Sequence, residues 1–298
     1  MLVLVAPGQG AQTPGFLTPW LELPGVADRL AAWSEVAGID LIACGTTAGA
    51  DEIRDTAIAQ PLLVAAALAS AEVLGAAPDV LAGHSVGEFA TAALAGVLTP
   101  EQALTLVRER GQAMAKAAAI TETGMTAVLG GVEDDVLAAL DRHGLTPANI
   151  NGAGQIVAGG TTEQLAALKS DPPARARLIP LSVAGAFHTV HMASAVEQLR
   201  EAAGQVEPAD PKVTLLSNAD GTAVTGGAEV MRRLVDQVSN PVRWDACMAT
   251  MAGLGVTRMI ELLPGGTLTG LARRGLRGVE TVALKTPDDL DAARELIK

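Results

Sequence analysis

The stretch Asp79-Val80-Leu81-Ala82-Gly83-His84-Ser85-Val86-Gly87 leads from a short apolar run into an Ala-rich helical segment. Such a run suits a strand buried on both faces of a parallel sheet. Gly83 and Gly87 remove side chains where strand and helix approach closely, and they permit the strained turn that points the Ser85 hydroxyl outward. The helix that follows aims its positive end at the same serine. A G-x-S-x-G pattern after a strand and before a helix is the nucleophile-elbow arrangement. The five residues alone also admit a simpler reading, a serine capping a buried helix.

Outward from this stretch, residues 2–6 form a second continuous apolar run. It ends in Pro7-Gly8-Gln9-Gly10, the place where a parallel strand delivers its loop to the ligand edge. Residues 213–217, 259–263 and 281–284 are further strand candidates with helical patterns between them, so the chain reads as α/β. Residues 124–187 have a different texture: strand 125–129, helix 133–143, strands 148–151 and 155–158, helix 162–169 and strand 177–183. That order is the split βαβ of a ferredoxin-like unit. It is expected as a small subdomain inserted into a larger catalytic domain made of residues 1–123 and 188–298, with the ligand cleft between the two.

With 298 residues, 49% of them hydrophobic, the chain can bury a large core. Its net charge of -12, its lack of tyrosine and its three Phe and three Trp argue against binding nucleic acid. Cys44 and Cys247 have no metal or redox spacing and read as buried thiols of a reducing compartment. The first residues carry no basic leader, and the longest apolar stretch, 62–71, is too short to span a bilayer. The expectation is a cytoplasmic enzyme that engages no membrane.

A serine nucleophile needs a base, and the chain has four histidines. His84 is fixed inside the elbow, where its side chain should point away from Ser85. His143 falls at a helix C-terminus, a position the dipole favours for structural reasons. His188, in a loop after an apolar strand, suits a base, and His191 one turn further on is the alternative. Thr99 with Gln102 forms a capping box and Pro100 takes the first helical position, so the phase of that helix is fixed. Ala103, Leu106, Val107, Met114 and Ala117 form its apolar stripe, and Arg110 lies in the middle of it. An interior guanidinium requires an anion. Either it pairs internally, with Glu88 on the elbow helix for instance, or it holds a substrate carboxylate bidentately. The N–H of Val86 and one from the Gly8-Gln9-Gly10 loop are positioned by sequence as a two-donor oxyanion hole.

These residues together resemble the malonyl-CoA:acyl carrier protein transacylase family over essentially the whole chain. The marks are Pro7-Gly8-Gln9-Gly10-Ala11-Gln12, Gln60-Pro61, Gly83-His84-Ser85-Val86-Gly87-Glu88, Arg110-Gly111, Gly154-Gln155, Phe187-His188, Asn240-Pro241-Val242-Arg243-Trp244 and Pro264-Gly265-Gly266-Thr267-Leu268-Thr269-Gly270-Leu271. The resemblance implies an α/β-hydrolase-like parallel-sheet domain with the ferredoxin-like insertion. It makes Ser85 the nucleophile, His188 the base, Gln9 and Val86 the oxyanion donors and Arg110 the malonyl clamp. Gln60, Asn151, Gln155 and Phe187 would complete the substrate site. The resemblance also implies that a backbone carbonyl, expected at Arg243, orients the histidine in place of a carboxylate. Ala186-Phe187-His188 and Val86 are similar to the pattern of enzymes that take malonyl rather than methylmalonyl. No metal or redox cofactor is implied. The partners implied are malonyl-CoA and an acyl carrier protein, for which Arg273, Arg274 and Arg277 are a candidate basic patch. A thioesterase or esterase would share the elbow and histidine but has no general task for an interior Arg110, and intact Ser85, His188 and Arg110 argue against a catalytically silent carrier-binding module.

Overall fold

The apolar run 2–6 forms strand β1 (Leu2–Ala6), all of it buried. Leu2, Leu4 and Ala6 join one core and Val3 and Val5 another, so the strand is apolar throughout because both its faces are covered. The other strands in chain order are β2 (Val80–Gly83), β3 (Thr123–Gly130), β4 (Thr146–Gly152), β5 (Gln155–Thr161), β6 (Ala176–Pro180), β7 (Thr214–Leu216), β8 (Ala223–Val224), β9 (Val242–Arg243), β10 (Arg258–Glu261) and β11 (Glu280–Ala283). The structure, a computed structural model, describes residues 1–152 and 154–298.

Two sheets organise the described residues. The larger has the order β11-β10-β1-β2-β7-β8 and is parallel except for β8, which runs antiparallel to β7. The smaller has the order β6-β3-β5-β4-β9. Its first four strands pair antiparallel, and β9 adds parallel to β4. Helices Glu133–Arg142 and Thr162–Ser170 connect those four strands in the expected order. The sequence pattern missed β8 and β9, whose two residues each carry no period to detect. Since β9 comes from far beyond residue 187, the small sheet is not made from one continuous segment.

The helix Thr56–Leu74 is longer than its apolar run, 19 residues, because Asp55 caps it and Pro61 is accommodated within it. Contrary to the expectation that no segment would be long enough, this helix could cross a membrane by length and composition alone, yet 78% of its apolar window is buried inside the fold. It is apolar all round because it is a central core element. The helix Pro100–Ala118 packs on it and carries the expected capping box at Thr99 and Gln102. The two backbones come close at Gly111, where a Cβ would stand 2.8 Å from the Thr56 carbonyl oxygen. This glycine lets the two helices meet where Arg110 faces Gln60.

Candidate active site

Ser85 sits between β2 and the helix Gly87–Leu94 with φ of 52°, the left-handed region that strains a non-glycine residue. The turn closes tightly: a Cβ on Gly83 would collide with the Gly87 backbone, one on Gly87 with the Ala6 carbonyl, and one on Gly8 would stand 2.9 Å from the His84 oxygen. Asn218, just beyond β7, holds the elbow from behind. Its Oδ1 accepts the Ser85 N–H at 2.7 Å, and its Nδ2 donates to the Gly83 carbonyl at 2.8 Å.

His188 also has a positive φ, 61°, and is 3% exposed. Its Nε2 lies 2.7 Å from Ser85 Oγ. Its Nδ1 lies 2.8 Å from the Gln237 carbonyl, which can only accept. The proton is therefore on Nδ1, and Nε2 is left as an acceptor for the serine hydroxyl. Burial, and then the Arg110 charge, lower the His188 pKa to about 3, so the ring is neutral near pH 7. The expectation that the Arg243 carbonyl orients this histidine is corrected here: the carbonyl of Gln237, in the short turn Gln237–Ser239, does so. Arg243 instead pairs with Asp245 at 2.8 Å, and its backbone is engaged in β9 and with the Asn218 carbonyl. His191 is outside this cluster; its N–H donates to Thr189 Oγ1.

Arg110 is 1% exposed. Its Nη1 donates to Gln60 Oε1 at 2.7 Å, and its Nη2 donates to Gln237 Oε1 at 3.0 Å and to Ser85 Oγ at 3.3 Å. Its Nε has no partner, and no carboxylate lies within ion-pair distance among the described residues. Burial lowers its pKa to about 10, so it remains a cation at neutral pH. The internal pairing with Glu88 does not form directly. Glu88 accepts instead from the Asn218 N–H at 2.6 Å and from Gln237 Nε2. Burial pushes Glu88 up to about 8, opposed by the Asn218 hydrogen bond and the Arg110 charge.

These groups open onto a cavity of about 230 Å³ between the two sheets, lined by Ser85, His188, Arg110, Gln9, Val86, Gln60, Phe187, Asn151 and Gln155. Every residue expected at the site is there except Arg243. The Gln9 and Val86 N–H groups have no acceptor among the described residues. The Gln9 side chain is tied to Arg54 and Thr56. Asn151 is turned toward His84, its Oδ1 2.9 Å from His84 Nε2, so the elbow histidine does point away from the nucleophile. Gln155 accepts from Arg274 at 3.1 Å at the rim. Sequence reasoning missed Asn218 and Gln237. Asn218 follows the predicted strand 213–217, but only the fold sets that strand beside the elbow strand. Gln237 carries no signal at all, because its role depends on where a turn falls in space.

The acyl transferase domain family matches residues 3–288. The malonyl CoA-acyl carrier protein transacylase of Mycobacterium tuberculosis is 52% identical over 99% of this chain and 100% of its own. That of Escherichia coli is 34% identical over 98% of each. A crystal structure described as MCAT from Mycobacterium tuberculosis superposes with a TM-score of 0.96, covering 100% of both chains at 52% identity. A malonyl-transacylase solved in complex with a type II PKS acyl-carrier protein superposes with a TM-score of 0.92 at 31% identity, covering 99% of each chain. Sequence and structure agree over the full length, and the chain belongs to the acyl transferase domain family, among its malonyl CoA-acyl carrier protein transacylases.

Proposed function

We propose that this protein transfers malonyl from malonyl-CoA to the phosphopantetheine thiol of an acyl carrier protein through a malonyl ester on Ser85. The observation that carries the reading is Arg110, a buried cation held by neutral amides and lying 3.3 Å from Ser85 Oγ, with space for a carboxylate beside the nucleophile. The Ser85 hydroxyl gives its proton to His188 Nε2 as Oγ bonds to the thioester carbon. The oxyanion that forms is held by the N–H groups of Gln9 and Val86. On collapse the carbon–sulfur bond breaks and CoA leaves with the proton from His188. The carrier thiol then gives its proton to His188 and attacks the ester, and Ser85 Oγ recovers the proton as it leaves. The whole cycle is acid–base and nucleophilic chemistry and requires no metal or redox group.

Phe187, 6% exposed at the cavity wall, takes the space an α-methyl group would need, while Gln60, Asn151 and Gln155 shape the remainder. The chain divides into an α/β-hydrolase-like domain, 1–123 and 188–298, and a ferredoxin-like subdomain, 124–187; the strand order β6-β3-β5-β4 supports the latter. Arg273, Arg274 and Arg277 are exposed, Arg274 reaching Gln155 at the cavity rim, and are the docking patch for an acidic carrier protein. The enzyme works in the cytoplasm without engaging a membrane, its long apolar helix being buried in the core. Intact-protein mass after separate mixing with malonyl-CoA, acetyl-CoA and methylmalonyl-CoA tests the reading. A malonyl adduct that holo carrier protein then removes is expected. No adduct, or release of free malonate in place of transfer, rejects it.

A further inference from the structure

We propose that Glu88 is a positioning residue for the Arg110 clamp, acting by fixing which end of the Gln237 side-chain amide faces the guanidinium. The inference rests on the malonyl-transfer reading and adds to it a residue that touches neither substrate nor nucleophile. Glu88 is 5% exposed and each of its oxygens serves a different donor: Oε1 accepts from the Asn218 backbone N–H at 2.6 Å and Oε2 from Gln237 Nε2. Because Nε2 is committed to Glu88, with a longer contact to Asn218 Oδ1 at 3.3 Å, Oε1 of Gln237 faces the other way, where it accepts from Arg110 Nη2 at 3.0 Å. That same Nη2 reaches Ser85 Oγ. Gln60 Oε1 holds Nη1 from the opposite side, so the guanidinium is gripped between two amide oxygens.

As the ionised carboxylate, the form in which both oxygens accept as they do here, Glu88 offers two acceptors, whereas a glutamine in its place offers one acceptor and one donor. The Asn218 N–H belongs to the backbone beside the elbow and cannot turn. In Glu88→Gln the new amide therefore satisfies Asn218 and presents its NH₂ to Gln237, whose amide must flip and aim its own NH₂ at Arg110. Donor then meets donor, and the guanidinium is pushed from its place.

The test measures kcat/KM for malonyl-CoA and acetyl-CoA, with melting temperature, in Glu88→Gln, Glu88→Asp and Arg110→Ala, and in the Glu88→Gln/Arg110→Ala double variant. Glu88→Gln should lower the malonyl-to-acetyl ratio about ten- to a hundredfold, the size expected for one misdirected charge-assisted hydrogen bond. Glu88→Asp keeps two acceptor oxygens and should hold the ratio within a few-fold, even where both rates fall. In the Arg110→Ala background Glu88→Gln should leave the ratio unchanged, since the group it positions is gone. A parallel loss of both substrates in Glu88→Gln, or an undiminished effect on the ratio without Arg110, overturns the inference. Should Glu88→Gln fail to fold, Gln237→Met reads the same contact from its other end; a fall in the ratio supports the inference and an unchanged ratio overturns it. The underlying reading fails separately, by equal loss of both substrates in Arg110→Ala alone.

Discussion

Near the surface, Arg233 donates to Asp220 and Glu229 at 2.7 Å each, and its neighbour Arg232 bridges Glu229 and Asp236. In the interior, Arg110 meets Gln60, Gln237 and Ser85, all of them neutral. Water lies close to the first pair, yet their charges are fully answered by carboxylates. The deeper cation, which desolvation penalises far more, is answered only by dipoles. The contrast separates two uses of one side chain. A cation saturated by carboxylates has no capacity left for a ligand, whereas one gripped by amides is held in place with its charge still available to an anion.

The largest effect should come where the interior cluster touches the reacting atom. Ser85→Ala is expected to abolish the malonyl adduct, and His188→Ala to slow its formation about 10² to 10⁴-fold, the usual contribution of a positioned base. Intact mass after brief mixing with malonyl-CoA reads both; a normal adduct in Ser85→Ala breaks the assignment, and a deeper defect in His191→Ala moves the base.

Arg110→Ala tests the contrast itself. Loss of two charge-assisted hydrogen bonds of roughly 1.5 to 3 kcal/mol each corresponds to about 10² to 10⁴ in malonyl transfer. Acetyl transfer should hold or rise, because a neutral acyl group makes no use of the guanidinium. If Arg110 were instead a structural cation that only holds the interior together, the variant would melt lower and lose both activities together.

The pH profile sharpens the picture of the same site. His188 is held down to about 3 by burial and by Arg110, below the 6.5 of a free imidazole. No inflection from His188 in kcat/KM for malonyl-CoA is therefore expected between about pH 7.5 and about 5. An inflection near 6.5 would show an accessible, unperturbed histidine. The linked effect on stability follows the same sign. The unfolded chain binds this proton more tightly, so the histidine's contribution is present in full above pH 6.5 and is lost as pH falls from there toward 3. Urea unfolding at pH 7.5 and 5 would detect it, and Arg110→Ala should shrink the difference by removing one cause of the shift.

The smallest effect belongs to the saturated cluster. Arg233→Ala should lower the melting temperature by no more than about 2–4 °C, as for a surface ion pair, and leave malonyl transfer within about twofold. A collapse of transfer in this variant would mean that the two arginine clusters are coupled, through Asp220 and the Asn218 loop.

The sequence by itself determined the elements whose signal is local. Apolar runs located β1 and β2, short strand patterns located β10 and β11, paired glycines around Ser85 announced the elbow, and a capping box fixed a helix phase accurately enough to place Arg110 inside. Those features depend on residues within a few positions of one another, where backbone geometry is dictated by neighbours in the chain. Tertiary structure alone decided what Arg110 meets, which carbonyl orients His188 and what stands behind the elbow. Gln237 and Asn218 lie in a turn and a loop far from Ser85 in the chain, and nothing in their local sequence distinguishes a polar residue on the surface from one buried against the nucleophile. β9 was illegible for the same reason: two residues become a strand only because the edge of β4 is there to pair with them. Long-range hydrogen bonds are set by how sheets and helices come together, so the partner of a buried charge can be demanded from sequence but is named only by the fold.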